Sequence, residues 1–190
     1  MKVRRCFLRF CVAVGMGAVS LAYANTGWPE PECAEGKHWL EFAEVAFCFN
    51  RDDIQFLNYL NLSSPSMQIN FNPETNAITQ MSVGRLDEQQ TTGGLHDQLG
   101  LSVRDMFVDL TTGVLSKGPD KEIVNTILTV DAATDFRHYQ KAGLDAFVIL
   151  RKSSMWDAIF IVDEKREGSI HLTGQFQPAD VEWLLARLRW

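Results

Sequence analysis

The sequence predicts an α+β domain: one antiparallel sheet of about five to seven strands, helices packed mainly on one face, and a C-terminal helix after a three-strand meander. Three observations predict it. Met67, Ile69 and Phe71 alternate with polar residues, and Ala77–Val83 alternates again beyond the turn cluster Asn72-Pro73-Glu74-Thr75-Asn76, which is the pattern of a hairpin. Ala146–Leu150, Ala158–Val162 and Ile170–Phe176 are short apolar runs joined by short turns, and such connections favour antiparallel pairing. From Pro178 onward, Val181, Leu184, Leu185 and Leu188 form a helical stripe, with proline at the favoured first helical position.

The chain opens with Lys2, Arg4, Arg5 and Arg9, continues through an uncharged apolar run from Phe10 to Ala22, and reaches Ala22-Tyr23-Ala24. These are the three regions of a secretory signal peptide, and the run is shorter than the ~20 apolar residues that span a bilayer. Residues 1–24 therefore read as a signal peptide cleaved between Ala24 and Asn25, and residues 25–190 as a single domain. Arg4-Arg5-Cys6-Phe7-Leu8-Arg9 resembles the twin-arginine export motif, although Val3 stands where that motif has Ser or Thr. The resemblance implies export in the folded state. An ordinary secretory signal carrying paired arginines is the alternative. Arg9, two residues before Cys11, spoils a lipidation site, so no stable membrane anchor is expected. The predicted localisation is periplasmic or secreted.

All 24 acidic residues lie beyond residue 24, whereas four of the 18 basic ones precede it, so the exported part carries a net charge near −10. That charge disfavours nucleic acid and anionic membrane and favours a protein partner with a basic surface. Cys6 and Cys11 leave with the signal, and Cys33 and Cys48 remain. An even count in an oxidising compartment predicts a disulfide, and the spacing is not that of a redox-active C-x-x-C pair.

The remaining elements follow in chain order. Asn25–Gly36, rich in Pro, Gly and Glu, reads as an extended arm held by the disulfide. Val45–Phe49 reads as a strand because its aromatic and β-branched residues suit a pleated surface. Ile54–Leu62 fits either a short helix or an irregular strand. Arg85–Gly100 is the longest polar stretch of the exported part and reads as a loop of the functional or mobile kind. Leu101–Thr112 has helical spacing, with Ser102 as N-cap and Gly113 as stop. Ile123–Val130 reads as a strand and Asp131–Ala142 as a short helix ended by Gly143. Asp163–Gly168 is a charged turn, and Trp190 is expected to pin the C-terminal helix to the sheet.

The search for chemistry yields no motif. His38, His96, His138 and His171 have no metal-ligand spacing, and no H-E-x-x-H, G-x-S-x-G, phosphate-loop or calcium-loop pattern occurs. The acidic neighbours Asp52-Asp53, Asp87-Glu88 and Asp163-Glu164 fall in turns or loops. No cofactor is expected. The reading is an exported, non-enzymatic protein-binding domain, in concrete form an inhibitor or immunity protein that neutralises a hydrolase or toxin. The alternatives are an accessory component of an envelope secretion or adhesion assembly, and a small-ligand carrier. The residues expected to meet the partner are Asp87, Glu88, His96 and Asp97 in the polar stretch, and Trp156 in a turn between two strands.

Overall fold

A computed structural model describes residues 25–30, 32–33, 37–61, 64–129, 134–152 and 156–190. The expected signal peptide, Ala24 included, lies outside the described residues. The elements run β1 (Asn25–Gly27), β2 (His38–Phe42), β3 (Val45–Phe49), a 3-10 turn (Arg51–Asp53), β4 (Ile54–Asn61), β5 (Pro65–Phe71) and β6 (Gln80–Leu86). Five short helices follow: α1 (Glu88–Thr92), α2 (Leu95–Leu99), α3 (Val103–Thr111), α4 (Val114–Lys117) and α5 (Lys121–Leu128). The chain continues through β7 (Asp135–Lys141), β8 (Leu144–Leu150), β9 (Asp157–Asp163), β10 (Ser169–Gly174), α6 (Pro178–Ala186) and β11 (Leu188–Arg189).

The class is α+β. The main sheet has eight strands in the order β1-β7-β8-β9-β10-β6-β5-β4. All of its pairings are antiparallel except that of β1 with β7. Two meanders, β4–β6 and β7–β10, meet at the seam between β6 and β10, where Leu172 faces Val83. A second sheet, β11-β3-β2, departs from the single sheet expected. Leu188, expected on the C-terminal helical stripe, instead pairs with Phe47 in this sheet.

The main sheet separates two cores. On one face Ile69, Val83, Val148 and Ile161 pack under Phe47 of the second sheet and Leu184 and Leu185 of α6. On the other, Phe147, Phe160 and Val162 pack against Leu95, Met106, Phe107 and Val124 from the helices. Helices α1–α5 thus form one layer, and α6 lies opposite. Phe107 stacks on both Phe147 and Phe160, with centroids 5.1 and 4.8 Å away. His138 and His171 extend this row across four neighbouring strands, stacked on Phe147 and Phe160.

Three local expectations are corrected. Residues from Ile123 to Leu128 are helical rather than extended: Val124 and Leu128, four apart, are the pair that α5 buries, a helical period hidden by β-branched residues. Most of the segment expected as a helix, with His138 in it, is the strand β7: Tyr139 enters one core, His138 stacks on Phe147 on the opposite face, and Asp135, Gln140 and Lys141 are exposed. Ala142 and Gly143, both at positive φ (44° and 87°), turn that strand into β8 rather than ending a helix. Arg85–Gly100 is the end of β6 followed by a helical pair rather than a loop. Gly93, Gly94 and Gly100 supply the left-handed conformations at its helix ends, and Thr91, Thr92, Leu95 and His96 are buried.

Cys33 and Cys48 form the expected disulfide, with Cα atoms 5.8 Å apart. Trp28 Nε1 donates to the Leu185 carbonyl at 2.9 Å, and Glu32 N to that of Ala186 at 2.7 Å, so Trp28 and Glu32 are tied to the C-terminal end of α6.

Candidate functional site

The β2–β3 hairpin turns through Ala43 and Glu44, whose φ values are 49° and 73°. A two-residue turn with both residues left-handed matches the twist of a hairpin, but it normally uses Gly, Asn or Asp. Here the conformation is held from outside. Arg85 Nη1 reaches the Glu44 carboxylate at 2.5 Å, and Arg166 Nη1 donates to the same oxygen, Oε2, at 2.7 Å. Arg85 comes from β6 and Arg166 from the charged turn after β9. The grip therefore fixes the tip of the second sheet to the end of the main one.

Beside this tip opens a cleft of about 780 Å³. Phe42 and Tyr59, in edge-to-face contact with centroids 6.0 Å apart, form its apolar side. Asp87, Glu88 and Gln90 at the start of α1 form the other, and Glu167 completes the rim. Asp87 caps α1: its Oδ1 accepts from the Gln90 backbone N–H at 2.7 Å, while Gln90 Oε1 accepts from the Asp87 N–H at 3.2 Å. The reciprocal bonds explain why a helix as short as α1 forms there. Arg85, a cation in the cleft, already faces Glu44, so the rim keeps a surplus of negative charge from Asp87, Glu88 and Glu167.

The structure brings four of the five expected partner-binding residues together. Asp87 and Glu88 line the cleft. His96 is only 5% exposed, with Nδ1 2.5 Å from Thr92 Oγ1 and Nε2 3.4 Å from Asp97 Oδ1, so it joins α1 to α2 rather than facing solvent. Asp97 is exposed and accepts from Gln89 Nε2. Trp156 is exposed but precedes β9 at the end of the sheet away from the cleft, with its carbonyl accepting from Arg151 Nη1 at 2.6 Å. Sequence reasoning missed Glu44, Tyr59, Arg85 and Glu167, because only sheet pairing brings them to one place.

Two other polar clusters bear on chemistry. Asp145 is wholly enclosed; its two oxygens lie 2.6 Å from Arg104 Nε and 2.6 Å from His138 Nε2. The hydrogen bond to Asp145 raises the Arg104 guanidinium above its ordinary value. With both carboxylate oxygens engaged, this is an internal tie between α3, β7 and β8. His171 borders a groove of about 290 Å³ with Ser66, Ser82 and Thr173. Burial, aided by the charge of Arg151, pushes its imidazole down to about 4, so it is neutral near pH 7. Among the described residues no group of three or more His, Cys, Asp or Glu has the arrangement of a metal site. No helix among them is long and apolar enough to cross a membrane.

Compared with protein-family models, curated proteins and solved structures, the chain matches none.

Proposed function

We propose that this protein is an exported protein-binding domain whose acidic cleft receives a basic segment of its partner. The observation that carries the reading is the pairing of exposed carboxylates, Glu88 and Glu167 beside the capping Asp87, with the apolar wall of Tyr59 and Phe42. Fixed negative charge speeds encounter with a cationic surface, and a desolvated aromatic wall supplies contact energy beside it. The basic, apolar and small-residue regions of residues 1–24 support export, and the disulfide fits an oxidising compartment. In its concrete form the domain is an inhibitor or immunity protein whose cleft captures a basic segment of a hydrolase or toxin.

The test is affinity capture from the native envelope fraction with the tagged protein, followed by capture with Glu88→Lys/Glu167→Lys. One stoichiometric partner with a basic surface, lost or strongly weakened with the double variant, is expected. A partner retained equally by the variant would remove the cleft from the binding surface, and recovery of none would end the inhibitor reading.

A further inference from the structure

β4 forms one edge of the main sheet, and no other element among the described residues pairs with its outer side. Natural edge strands are short, charged, covered or interrupted by proline, because a bare edge is a template for another strand. β4 has eight residues, Ile54-Gln55-Phe56-Leu57-Asn58-Tyr59-Leu60-Asn61, with no charge and no proline. Phe56, Leu57, Tyr59 and Leu60 are each between 41% and 62% exposed. A bulge between Ile54 and Phe56 ends the regular ladder with β5 at one side, leaving Phe56 to Asn61 as the usable edge.

We infer that this edge pairs with the same edge of a second copy, antiparallel, across a dyad passing beside Asn58. The register follows from geometry. A dyad perpendicular to the sheet keeps each face continuous, so facing residues share parity and one residue must face its own copy. Centring on Asn58 sets Phe56 against the second copy's Leu60, Leu57 against its Tyr59, and Asn58 against Asn58. A centre at Leu57 would set Phe56 against Asn58, and one at Tyr59 would set Asn58 against Leu60. Only the Asn58 centre keeps apolar residues opposite apolar ones on both faces, because the order of polar and apolar residues is palindromic about Asn58.

Charge and area favour the same occupant. Residues 25–190 carry a net charge near −10, yet this strand carries none, so two copies meet without a like-charge pair at the seam. The four exposed side chains present on the order of 400 Å² per copy, of which pairing covers the flanks; with the strand backbones added, the contact falls at the low end of interface sizes, that of a reversible dimer. Asn58 Nδ2 donates to Gln68 Oε1 at 3.3 Å, so an amide pair across the dyad would continue a polar row already begun in β5. A single polar residue on an apolar interface selects register. The inference does not rest on the proposed function.

The experiment is sedimentation velocity on the protein expressed from its full-length gene, across a concentration series. A monomer–dimer equilibrium is expected. Asn58→Lys and Asn58→Asp, each placing like charges across the dyad, should each weaken association about tenfold or more, and an equimolar mixture of the two should restore it. Restoration is specific to a residue that faces its own copy. Should either charged variant fail to fold, Asn58→Cys supplies an independent readout. Directly opposed residues have Cα atoms about 4.5–5.5 Å apart, within disulfide range, so a covalent dimer should form on oxidation whereas Gln68→Cys should give none. A monomer at every concentration, a dimer indifferent to both charges, or a mixture that stays monomeric would overturn the inference. A monomer that takes up a foreign strand would assign the edge to a different partner and overturn it equally.

Discussion

Arg104 on α3 donates its Nε–H to Asp145 on β8 at 2.6 Å, and the carboxylate it reaches has no exposed surface. The pair joins the helical layer to the middle of the sheet, and His138 takes the remaining carboxylate oxygen. Asp145→Ala would strip Arg104 of its nearer carboxylate, leaving Glu164 at 3.6 Å, and His138 of its partner; about 3 kcal/mol of stability should be lost, read as a shift in urea midpoint. Arg104→Leu combined with Asp145→Leu should recover part of that loss, since it removes the orphaned cation while the His138 imidazole still lacks its partner. A loss below about 1 kcal/mol for Asp145→Ala would place the pair with exposed ion pairs of little consequence.

The Cys33–Cys48 bridge closes a 15-residue separation. Replacing both by Ala should cost about 3 kcal/mol by the chain-entropy estimate. Reducing the native protein with excess thiol should lower its unfolding free energy by a similar amount while leaving the double variant unmoved. Equal sensitivity of both proteins to thiol would contradict the assignment.

The cleft carboxylates differ in what else they do, and this separates binding from stability. Asp87 caps α1, so Asp87→Lys should cost about 1 kcal/mol of stability in addition to any binding effect. Glu88 and Glu167 make no such cap. Glu88→Lys/Glu167→Lys should reduce partner affinity and flatten its salt dependence with a stability change within about 0.5 kcal/mol. Trp156→Ala, at the far end of β9, should leave affinity unchanged. Titration calorimetry at two salt concentrations reads all of these, and an unaltered salt slope in the double charge reversal would count against the cleft.

His171 gives a pH dependence of known sign. Its imidazole sits at about 4 in the fold against an ordinary 6.5, so the unfolded chain binds the proton more readily. The stability associated with a neutral His171 is complete above pH 6.5 and is lost as pH falls toward 4. Over that window it amounts to on the order of 3 kcal/mol. His171→Gln should remove this component, giving a flatter stability–pH curve below 6.5. An identical acid limb in both proteins would show that other groups carry the dependence.

What the sequence disclosed depends on how local each signal is. β5 and β6 were legible because one face of each is buried and the other polar, so hydrophobicity alternates residue by residue. α3 and α6 were legible from caps: Ser102 accepts from Asp105 N, and Pro178 opens the last helix after Gln177. α5 was misread because Ile123, Val124 and Ile127 suit a strand by composition, although Val124 and Leu128 bury at helical spacing. β4 resisted assignment because a bulge breaks its period and both faces keep exposed apolar residues. Of the second sheet only β3 was legible, from its aromatic and β-branched residues; its third strand depends on Leu188 meeting Phe47, far away in sequence. The site follows the same rule. Asp87 and Glu88 stood out as adjacent charges, whereas Glu44, Tyr59 and Glu167 join them only through pairings distant in sequence.

The seam between β6 and β10 also sets an order of events for a chain delivered N-terminus first. β4–β6 can assemble alone, but Val83 gains its neighbour only when Leu172 arrives, and β3 waits longer still for β11. Such non-local closures are slow relative to hairpin formation. The half-built sheet must therefore persist with a bare β6 edge, and folding reaches completion only after residues 188–189 have emerged. Pulse-labelled hydrogen exchange should find β5 and β7–β9 amides protected before those of the seam; simultaneous protection would mean that the two meanders fold as one unit. Two meanders of local contacts thus form first, and the seam that unites them is the last part of the main sheet to close.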